Sequence, residues 1–280
     1  MIETSFKGRT FIKLLMVIAL CASVVSAQKS VRKLLFADEF KGASGSAVDA
    51  TKWTMQTGGN GWGNKELQYY TDSRENAYLD GKGHLVIKTI KLDLPLSYKC
   101  WYGQCKYSSA RLMTKNKVDQ KYGRFEARIK IPRGTGMWPA FWMLGNDIDK
   151  AHWPQCGEID IMENIGREPS TVHGTIHGPG YSGANGIGAP YNLLKNKVFA
   201  DDFHVYSTVW SENQINFYVD EHLYKTITPK DLPAGKQWVY DHPLFMILNL
   251  AVGGNWGGPP DDSTIFPQTM LVDYVRVYNE

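Results

Sequence analysis

The sequence predicts an all-β protein, built as a sandwich of two large antiparallel sheets. Short segments in which apolar and polar residues alternate recur along the chain, and Gly, Pro, Asn and Asp separate them. A further run at 243–252 is almost wholly apolar, as expected of a strand that is buried on both faces. The alternating segments are 84–90, 107–114, 124–131, 205–210, 214–220, 223–228 and 270–278.

The segment 124–131 shows the alternation most clearly. Its apolar residues share one face of a strand and its charged residues share the other, which predicts a half-buried strand. The apolar face comprises Phe125, Ala127, Ile129 and Ile131. Helical periodicity is weak throughout the chain, and 191–200 is its best candidate.

Composition excludes several classes of protein. With 43% apolar and 12% aromatic residues, the 280-residue chain has enough apolar surface to fold, so it is not intrinsically disordered. Its 27 Gly show no three-residue period, which excludes collagen. The net charge of +3 provides no electrostatic basis for binding nucleic acid.

The first residues resemble a targeting segment. Lys7, Arg9 and Lys13 precede a short apolar run at 14–22, and small residues around Ala27 suit a signal peptidase. We therefore predict a signal peptide at 1–27, a single domain at 28–280, and a secreted (extracellular or periplasmic) protein without a membrane span, because the run is shorter than the roughly 20 residues that a span needs. An uncleaved anchor, or a lipid on Cys21, are the alternatives.

Removal of that segment would leave three cysteines. Cys100 and Cys105 flank a short loop that contains Gly103, so we predict a disulfide between them, with free thiols as the alternative. Cys156 would then be unpaired.

The segment 157–164 carries the chemistry. Strict alternation places Glu158 and Asp160 on one face of a strand and turns Glu163 away from them. A β-bulge at 161–162 would return Glu163 to the acidic face, and bulges are frequent beside active sites. Three neighbouring carboxylates repel one another and are not needed for folding, so they call for a functional explanation.

Three interpretations of the acidic face compete. Calcium sites draw several oxygens from a curled loop, which a strand does not provide. A surface salt-bridge network is a second interpretation. The third is a glycosidase, in which one carboxylate attacks the anomeric carbon and the other protonates the leaving oxygen. Charge on Asp160 and Glu158 would raise the pKa of Glu163, as an acid needs.

The motif at 157–163 resembles the signature of glycoside hydrolase family 16. The flanking segments 136–144, 173–180, 59–70 and 273–278 agree with that family in the same order, so the resemblance covers nearly all of 35–280. It implies a concave, concanavalin-like jelly-roll sandwich and a retaining β-glycanase. It also implies that Glu158 is the nucleophile, Asp160 its assisting acid and Glu163 the acid/base.

The resemblance also suggests a substrate. The spacing E-x-D-x-x-E is typical of the laminarinase branch, although the agarase and carrageenase branches share it. The 60–70 segment is most similar to endo-β-1,3-glucanases. We therefore expect an endo-1,3-β-glucanase whose partner is a β-glucan polysaccharide, with mixed-linkage β-1,3-1,4-glucan as a second substrate. Non-catalytic β-glucan-binding relatives and a structural surface protein are the competing classes.

Several residues are candidates for binding the sugar. Trp138, Trp142 and Trp256 could stack on a pyranose, although core packing is the usual fate of Trp. Asn60 lies in a Gly-rich loop that could instead be a plain turn. His177, on a strand with His173 and Thr175, resembles a residue near the acid/base; a structural role is its alternative. Arg111 and Glu66 could equally form salt bridges.

No cofactor is expected for catalysis. The resemblance implies a structural calcium away from the groove, with Asp273 as its side-chain ligand and backbone oxygens near Glu39 and Gly83. The His residues lack zinc-site spacing. Nothing in the sequence indicates an oligomer, so we expect a monomer.

Overall fold

The structure is a computed structural model that describes residues 1–3, 32–93, 98–194 and 196–279. The chain divides into two compact units, Met1–Val31 and Arg32–Glu280. Of the first unit only residues 1–3 are described, and they are exposed. The predicted signal peptide, apart from those three residues, lies outside the described residues.

The regular secondary structure described in Arg32–Glu280 consists almost wholly of strands. The described strands are β1 (Leu34–Asp38), β2 (Thr54–Gln56), β3 (Gln68–Tyr70), β4 (Ala77–Leu79), β5 (Leu85–Lys91), β6 (Lys99–Cys100), β7 (Gly103–Gln104), β8 (Tyr107–Ser109), β9 (Arg111–Met113), β10 (Asp119–Gln120), β11 (Gly123–Lys130), β12 (Met137–Gly145), β13 (Glu158–Glu163), β14 (Thr171–His177), β15 (Ile187–Asn192), β16 (His204–Ser211), β17 (Gln214–Val219), β18 (His222–Ile227), β19 (Leu244–Val252) and β20 (Gln268–Tyr278).

Two large sheets contain nearly all of these strands. One has the order β18-β17-β16-β11-β20-β5-β8-β3, with β1 paired to β20 and β4 to β5. The other has the order β15-β14-β13-β12-β19-β9-β2, with β10 paired to β19. Among the described pairs, β3 with β8 is parallel and the rest are antiparallel. The predicted all-β sandwich of two antiparallel sheets is confirmed.

The core lies between the two sheets. The face of β11 that carries Phe125, Ala127 and Ile129 packs in one apolar cluster with Phe141 and Met143 of β12. All five of these residues are at most 1% exposed. The alternation in 124–131 therefore predicted the buried face correctly, because neighbouring side chains of a strand point to opposite faces.

Strand β19 is buried on both faces, as its apolar sequence predicted. Its even-numbered residues, from Leu244 to Val252, join the core between the sheets. Phe245 and Ile247 point the other way and are covered by a smaller cluster that includes Leu144 and Cys156. Further along that outer face the strand presents Asn249 and Ala251, which line the cavity described below.

Two sequence predictions are corrected. The best helical candidate, 191–200, is not an α-helix: β15 runs to Asn192, and a 3₁₀ turn occupies Phe199–Asp201. The segment 107–114 forms two strands rather than one, because the chain passes from β8 in one sheet to β9 in the other across Ala110.

Helices are few and short in the part of the chain that the structure describes. Two α-helices of four residues, α1 (Ile148–Ala151) and α2 (Gly254–Gly257), follow the ends of β12 and β19. The 3₁₀ turns are Gly183–Asn185, Phe199–Asp201 and Pro229–Asp231. Within the described residues, none of the helices has the length and apolar character to cross a membrane.

Candidate active site

A cavity of about 1020 Å³ lies on the face of the eight-stranded sheet that points away from the core. Strands β9, β12, β13, β14 and β19 form its floor, and loops supply its walls. The residues that line it are Trp62, Gly63, Asn64, Glu66, Arg111, Trp138, Ala140, Trp142, Leu144, Trp153, Glu158, Asp160, Glu163, His173, Thr175, His177, Gly183, Ala184, Gly186, Asn249, Ala251, Asn255 and Trp256.

The three acidic residues of β13 reach this cavity because the strand contains a bulge. Opposite β12, Met162 pairs with Phe141 but Asp160 pairs with Trp142, so Ile161 is the extra residue. Ile161 and Met162 both pack in the core, and Glu163 therefore returns to the face that carries Glu158 and Asp160. Gly157, with φ of +70°, supplies the left-handed turn into the strand.

Glu158 is held from two sides. The indole Nε1 of Trp153 donates a hydrogen bond of 2.7 Å to Glu158 Oε2. His177 Nε2 lies 3.8 Å from Glu158 Oε1. Trp153 is itself 46% exposed, so the donor reaches Glu158 from the solvent side of the cavity.

Asp160 is the most buried of the three acids, at 2% exposed. Its Oδ2 lies 3.0 Å from His177 Nε2, and a carboxyl oxygen of Asp160 lies within 4.8 Å of one of Glu158. His177 is fixed in turn, because Tyr240 donates a hydrogen bond of 2.8 Å to its carbonyl.

Glu163 has one close donor. Trp138 Nε1 lies 3.0 Å from Glu163 Oε1. Burial is the main cause that raises the pKa of Glu163 to about 7, and the charge of Glu158 raises it further, whereas His177 and the Trp138 hydrogen bond lower it. Glu163 therefore exchanges its proton near neutral pH.

The other two acids also have raised pKa values. Burial raises the pKa of Glu158, and repulsion by Asp160 adds to it. Burial raises the pKa of Asp160 too, and Glu163 is the second cause. The charge of Glu163 affects the proton affinity of Asp160, and the hydrogen bond from Trp153 lowers the pKa of Glu158, which favours negative charge there.

Arg111 lies between two indole rings. Its guanidinium carbon is 4.8 Å from the ring centroid of Trp62 and 4.6 Å from that of Trp142. Its Nε donates a hydrogen bond of 2.6 Å to Gln56 Oε1. Burial lowers the pKa of Arg111, and the nearby acids Glu66 and Glu158 oppose that shift. The three stacked side chains form one rigid wall of the cavity.

A buried chain of hydrogen bonds supports that wall from below. Trp142 Nε1 donates to Asn249 Oδ1 at 2.7 Å, and Asn249 Nδ2 donates to the Tyr70 hydroxyl at 3.1 Å. Tyr70 and Gln68 both donate to Glu66 Oε2, at 3.2 and 2.6 Å. Burial raises the pKa of Glu66. These two donors satisfy its Oε2, and Asn64 Nδ2 donates to its Oε1 at 3.3 Å.

The opposite end of the cavity is aromatic. Trp256 packs edge-on against Trp138, with ring centroids 5.5 Å apart, and against His173 at 5.0 Å. Trp256 is half-buried, and its carbonyl accepts a hydrogen bond from Arg167. Trp138 is only 9% exposed, so its ring offers less open surface than the sequence suggested.

The model for the family "Glycosyl hydrolases family 16" matches residues 61–276, which include every acid of this cavity. The chain belongs to glycoside hydrolase family 16. The two-sheet sandwich described above is the fold that the resemblance implied.

Relatives and solved structures agree with this membership. The chain is 41% identical over 263 residues to glucan endo-1,3-beta-glucosidase A1 of Niallia circulans, covering 88% of this chain and 38% of that protein. It is 41% identical over 254 residues to a beta-glucanase of Rhodothermus marinus, covering 88% and 85%. The laminarinase catalytic domain from Thermotoga maritima superposes with a TM-score of 0.82 at 46% identity, covering 89% of this chain and 98% of that one.

More distant relatives carry other names. At 30% identity the chain is similar to an endo-1,3-1,4-beta-glycanase of Rhizobium meliloti and to a beta-1,3-glucan-binding protein of Penaeus monodon. The chain spans 52% of the first protein and 83% of the second.

In this family 16 protein, most of the predicted site residues meet at the cavity. Of the nine residues predicted for catalysis or sugar binding, eight line it; Asn60 does not. Asn60 is exposed, and its Oδ1 accepts a hydrogen bond of 3.1 Å from the Trp62 backbone, as in the plain turn that was its alternative. Its neighbours Trp62 and Asn64 reach the cavity instead.

Sequence reasoning missed three cavity residues of this family 16 protein: Trp62, Trp153 and Asn249. Trp62 shares the Gly-rich loop of Asn60, and that loop was the available signal. The sequence places Trp153 only five residues before Glu158, but nothing local shows that its indole turns back. Asn249 was the one polar residue in the run 243–252, and that was a signal for a buried hydrogen-bonding role.

The sequence also predicted a disulfide and a metal ligand outside the cavity. Cys100 and Cys105 form a disulfide with Cα atoms 5.0 Å apart, and Cys156 is free and buried. Asp273 Oδ2 accepts a hydrogen bond of 2.8 Å from Arg128. Among the described residues, Glu158, Asp160 and His177 are the one group of three potential metal ligands, with atoms within 4.8 Å of one another. An ion bound there would coordinate the carboxylate oxygens of Glu158 and Asp160.

Proposed function

We propose that this protein hydrolyses internal β-1,3-glucosidic bonds of laminarin-type glucan, with retention of anomeric configuration. The observation that carries the proposal is the placement of Glu158, Asp160 and Glu163 together on one face of β13, at the floor of a cavity lined by Trp rings. A pair of carboxyl groups with different environments is the requirement for glycoside hydrolysis.

In the first step, Glu158 attacks the anomeric carbon and forms a glycosyl ester. Trp153 donates a hydrogen bond to Glu158, and a carboxyl oxygen of Asp160 lies within 4.8 Å of one of Glu158; together they orient its attacking oxygen. Glu163 gives its proton to the departing glycosidic oxygen. Its pKa of about 7 leaves it protonated at and below neutral pH, so it can act as the acid there.

In the second step, the ester neutralises Glu158. One cause of the raised pKa of Glu163 is thereby removed, so the Glu163 pKa falls and its carboxylate can accept a proton from water. That water attacks the anomeric carbon, releases Glu158 and yields the product with its original configuration.

The cavity suits a neutral sugar polymer. Its walls offer the faces of Trp62, Trp142 and Trp256, and pyranose rings present apolar faces that pack on such rings. Within the described wall the one Arg or Lys is Arg111, which Trp62, Trp142 and Gln56 already engage. A sulfated galactan would need more cationic partners. The names of the similar proteins favour β-1,3-glucan, and mixed-linkage β-1,3-1,4-glucan is the second candidate.

The test is reducing-sugar release with product sizing on laminarin, mixed-linkage glucan, xyloglucan, agarose and carrageenan. We expect early oligosaccharides from laminarin, with or without release from mixed-linkage glucan. NMR of the first product should show the β-anomer. Tight binding of laminarin without any release of reducing ends would instead establish a binding protein, and release from a galactan alone would contradict the substrate.

The nucleophile has its own test. Glu158→Ala should lose hydrolysis of an aryl β-glucoside substrate by several orders of magnitude and regain part of it with azide, which gives an α-glycosyl azide. Glu163→Gln is the matched variant, because azide there should yield a β-glycosyl azide. The absence of rescue in Glu158→Ala would contradict the assignment.

We further propose that the protein is exported and acts as a monomer. The disulfide between Cys100 and Cys105 supports export, because disulfides persist in oxidising compartments. Expression with a C-terminal tag, followed by N-terminal sequencing of the protein outside the cytoplasm, tests cleavage after Ala27. Size-exclusion chromatography tests the monomer.

We also propose a structural calcium near Asp273. The register supports it: β11 pairs along one edge of β20, and β5 and β1 pair along the other, with Val272 opposite Leu85 and Val275 opposite Asp38. Positions 39 and 83 therefore approach the same stretch of that edge, next to Asp273. Carboxylate and carbonyl oxygens are the ligands that calcium prefers. Arg128 and Arg276 engage Asp273 and Glu39, so the backbone carbonyls would supply most of the ligands.

A further inference from the structure

A hairpin closed by the disulfide, residues 98–106, presents an exposed indole. Strands β6 and β7 pair within it, and the bond between Cys100 and Cys105 closes its base. Trp101 lies at its turn and is 48% exposed, the highest exposed fraction of any described Trp. The ring is thus part of neither the core nor the cavity wall.

The hairpin is fixed to the loop 58–68. The backbone N–H of Trp101 donates to the Gly59 carbonyl at 2.8 Å, and its indole Nε1 donates to the Glu66 carbonyl at 2.8 Å. The Tyr102 hydroxyl donates to the Leu67 carbonyl at 2.6 Å. A Cβ at Gly61 would lie 2.9 Å from Trp101 Cδ1, so only glycine permits this contact.

The same loop lines the cavity on its other side. Trp62, Asn64 and Glu66 belong to it and are cavity residues, and Trp62 stacks on Arg111. Arg111 is on β9, which lies three strand positions from β13 in the sheet order. With strands about 4.8 Å apart, the backbone of β9 is roughly 14 Å from that of β13. Trp101 contacts this loop at Gly59, Gly61 and Glu66, so it lies next to the wall that Trp62 forms. A long polymer that extends from Glu158 past Trp62 would leave the cavity in this region.

We propose that Trp101 forms a distal glucan subsite, which binds a sugar ring of the same β-glucan chain beyond the cavity. This inference rests on the proposed function. Because the N–H of Trp101 is already bonded to the protein, the subsite would bind through the ring face, as stacking on a pyranose requires. The disulfide and the three hydrogen bonds hold the ring in place, so little conformational entropy is lost on binding.

The experiment compares Trp101→Ala with Leu223→Ala. Leu223 is 47% exposed, close to the exposed fraction of Trp101, but it lies on β18 in the other sheet and away from the hairpin. For both variants and the wild type, kcat/KM is measured on laminari-oligosaccharides from the trisaccharide to the heptasaccharide. Binding of the same oligosaccharides is measured by calorimetry in a Glu158→Gln background, with and without Trp101→Ala.

We expect Trp101→Ala to leave kcat/KM unchanged for the shortest oligosaccharide that is cleaved. For the longest one, kcat/KM should fall about fivefold to tenfold, which is the contribution of one aromatic stacking contact. Affinity in the Glu158→Gln background should fall by a similar factor for long chains only. Trp101→Phe should lose less kcat/KM on long chains than Trp101→Ala, because the smaller ring can still stack. Leu223→Ala should lose none.

Several results would overturn the subsite. These are an equal loss at every chain length, no loss at any length, or a wild-type dimer that Trp101→Ala converts to a monomer without changing the length dependence. If the wild type cleaves and binds none of the oligosaccharides, the proposed function itself fails and the subsite fails with it. Cleavage by the wild type with no effect of Trp101→Ala contradicts the subsite alone.

Discussion

The indole N–H of Trp138 donates a hydrogen bond of 3.0 Å to Oε1 of Glu163. The sequence suggested that Trp138 is a platform for sugar, but its ring is 9% exposed and packs edge-on against Trp256. Its contact with Glu163 makes it a residue that positions the acid and sets its proton affinity.

Removal of that donor should shift the pH profile. In Trp138→Phe the carboxylate of Glu163 loses a hydrogen bond that lowers its pKa, so the pKa should rise. Because Glu163 must be protonated in the first step, the alkaline limb of kcat/KM should move to higher pH by about one unit. Trp142→Phe is the control, since Trp142 donates to Asn249 and should leave this limb in place. An unmoved limb in Trp138→Phe would contradict the role.

Glu163 should also make stability depend on pH. Its pKa is about 7 in the folded protein against an ordinary 4.5, so the folded state holds a proton that the unfolded state releases. The resulting stability is present below about pH 4.5 and is lost as pH rises through about 7. Relative to Glu163→Gln, the wild type should lose about 3 kcal/mol of unfolding free energy between pH 4.5 and 8.

Urea unfolding of both proteins across this pH range measures the difference. Glu75→Gln, which replaces an exposed carboxyl, is the control and should follow the wild type. Parallel pH profiles for Glu163→Gln and the wild type would show that the Glu163 pKa is not raised in the folded protein.

Arg111 should contribute to substrate binding through the wall that it forms with Trp62 and Trp142. Arg111→Lys keeps the positive charge. It removes the planar guanidinium that stacks between the two rings and the hydrogen bond that this group donates to Gln56. We expect KM for laminarin to rise about tenfold, with kcat within about twofold of the wild type. Arg276→Lys removes a similarly stacked guanidinium over Tyr274 in the other sheet and should change neither constant. A fall in kcat alone would refute a binding role.

Calcium should stabilise the protein through Asp273. At about a hundredfold excess over its dissociation constant, calcium should add about 2.7 kcal/mol, which corresponds to a rise in Tm of roughly 5–10 °C. Asp273→Asn should abolish most of that rise, whereas Asp241→Asn, with a highly exposed side chain, should retain it. Equal calcium responses in the two variants would contradict the assignment of Asp273.

Much of the fold could be predicted from the sequence because β-structure leaves a local record. The two faces of 124–131 and the double burial of 243–252 follow from side chains that alternate along a strand. The segment 107–114 shows where this fails. Its pattern is continuous, yet Ala110 divides it between two sheets, and only packing of the whole chain decides where a strand changes sheets.

The candidate site divides in the same way. Glu158, Asp160 and Glu163 lie within six residues, so their spacing and the bulge between them could be inferred from one segment of sequence. The contacts of Arg111 with Trp62 and Trp142 could not, because they join positions far apart in the chain and depend on the order of β9, β19 and β12 in the sheet. Likewise, the direction of the Trp153 indole is set by the loop that carries it.

By itself, then, the sequence determined the class of fold, the three acids and the family, since each depends on residue types at fixed short spacings. Tertiary structure decided which neighbours those acids have: Trp153 on Glu158, His177 on Asp160 and Trp138 on Glu163. It also decided that Trp101 is exposed beside the cavity whereas Trp138 is not. Proton affinity and exposure depend on groups that are close in space, and a linear pattern does not specify that proximity.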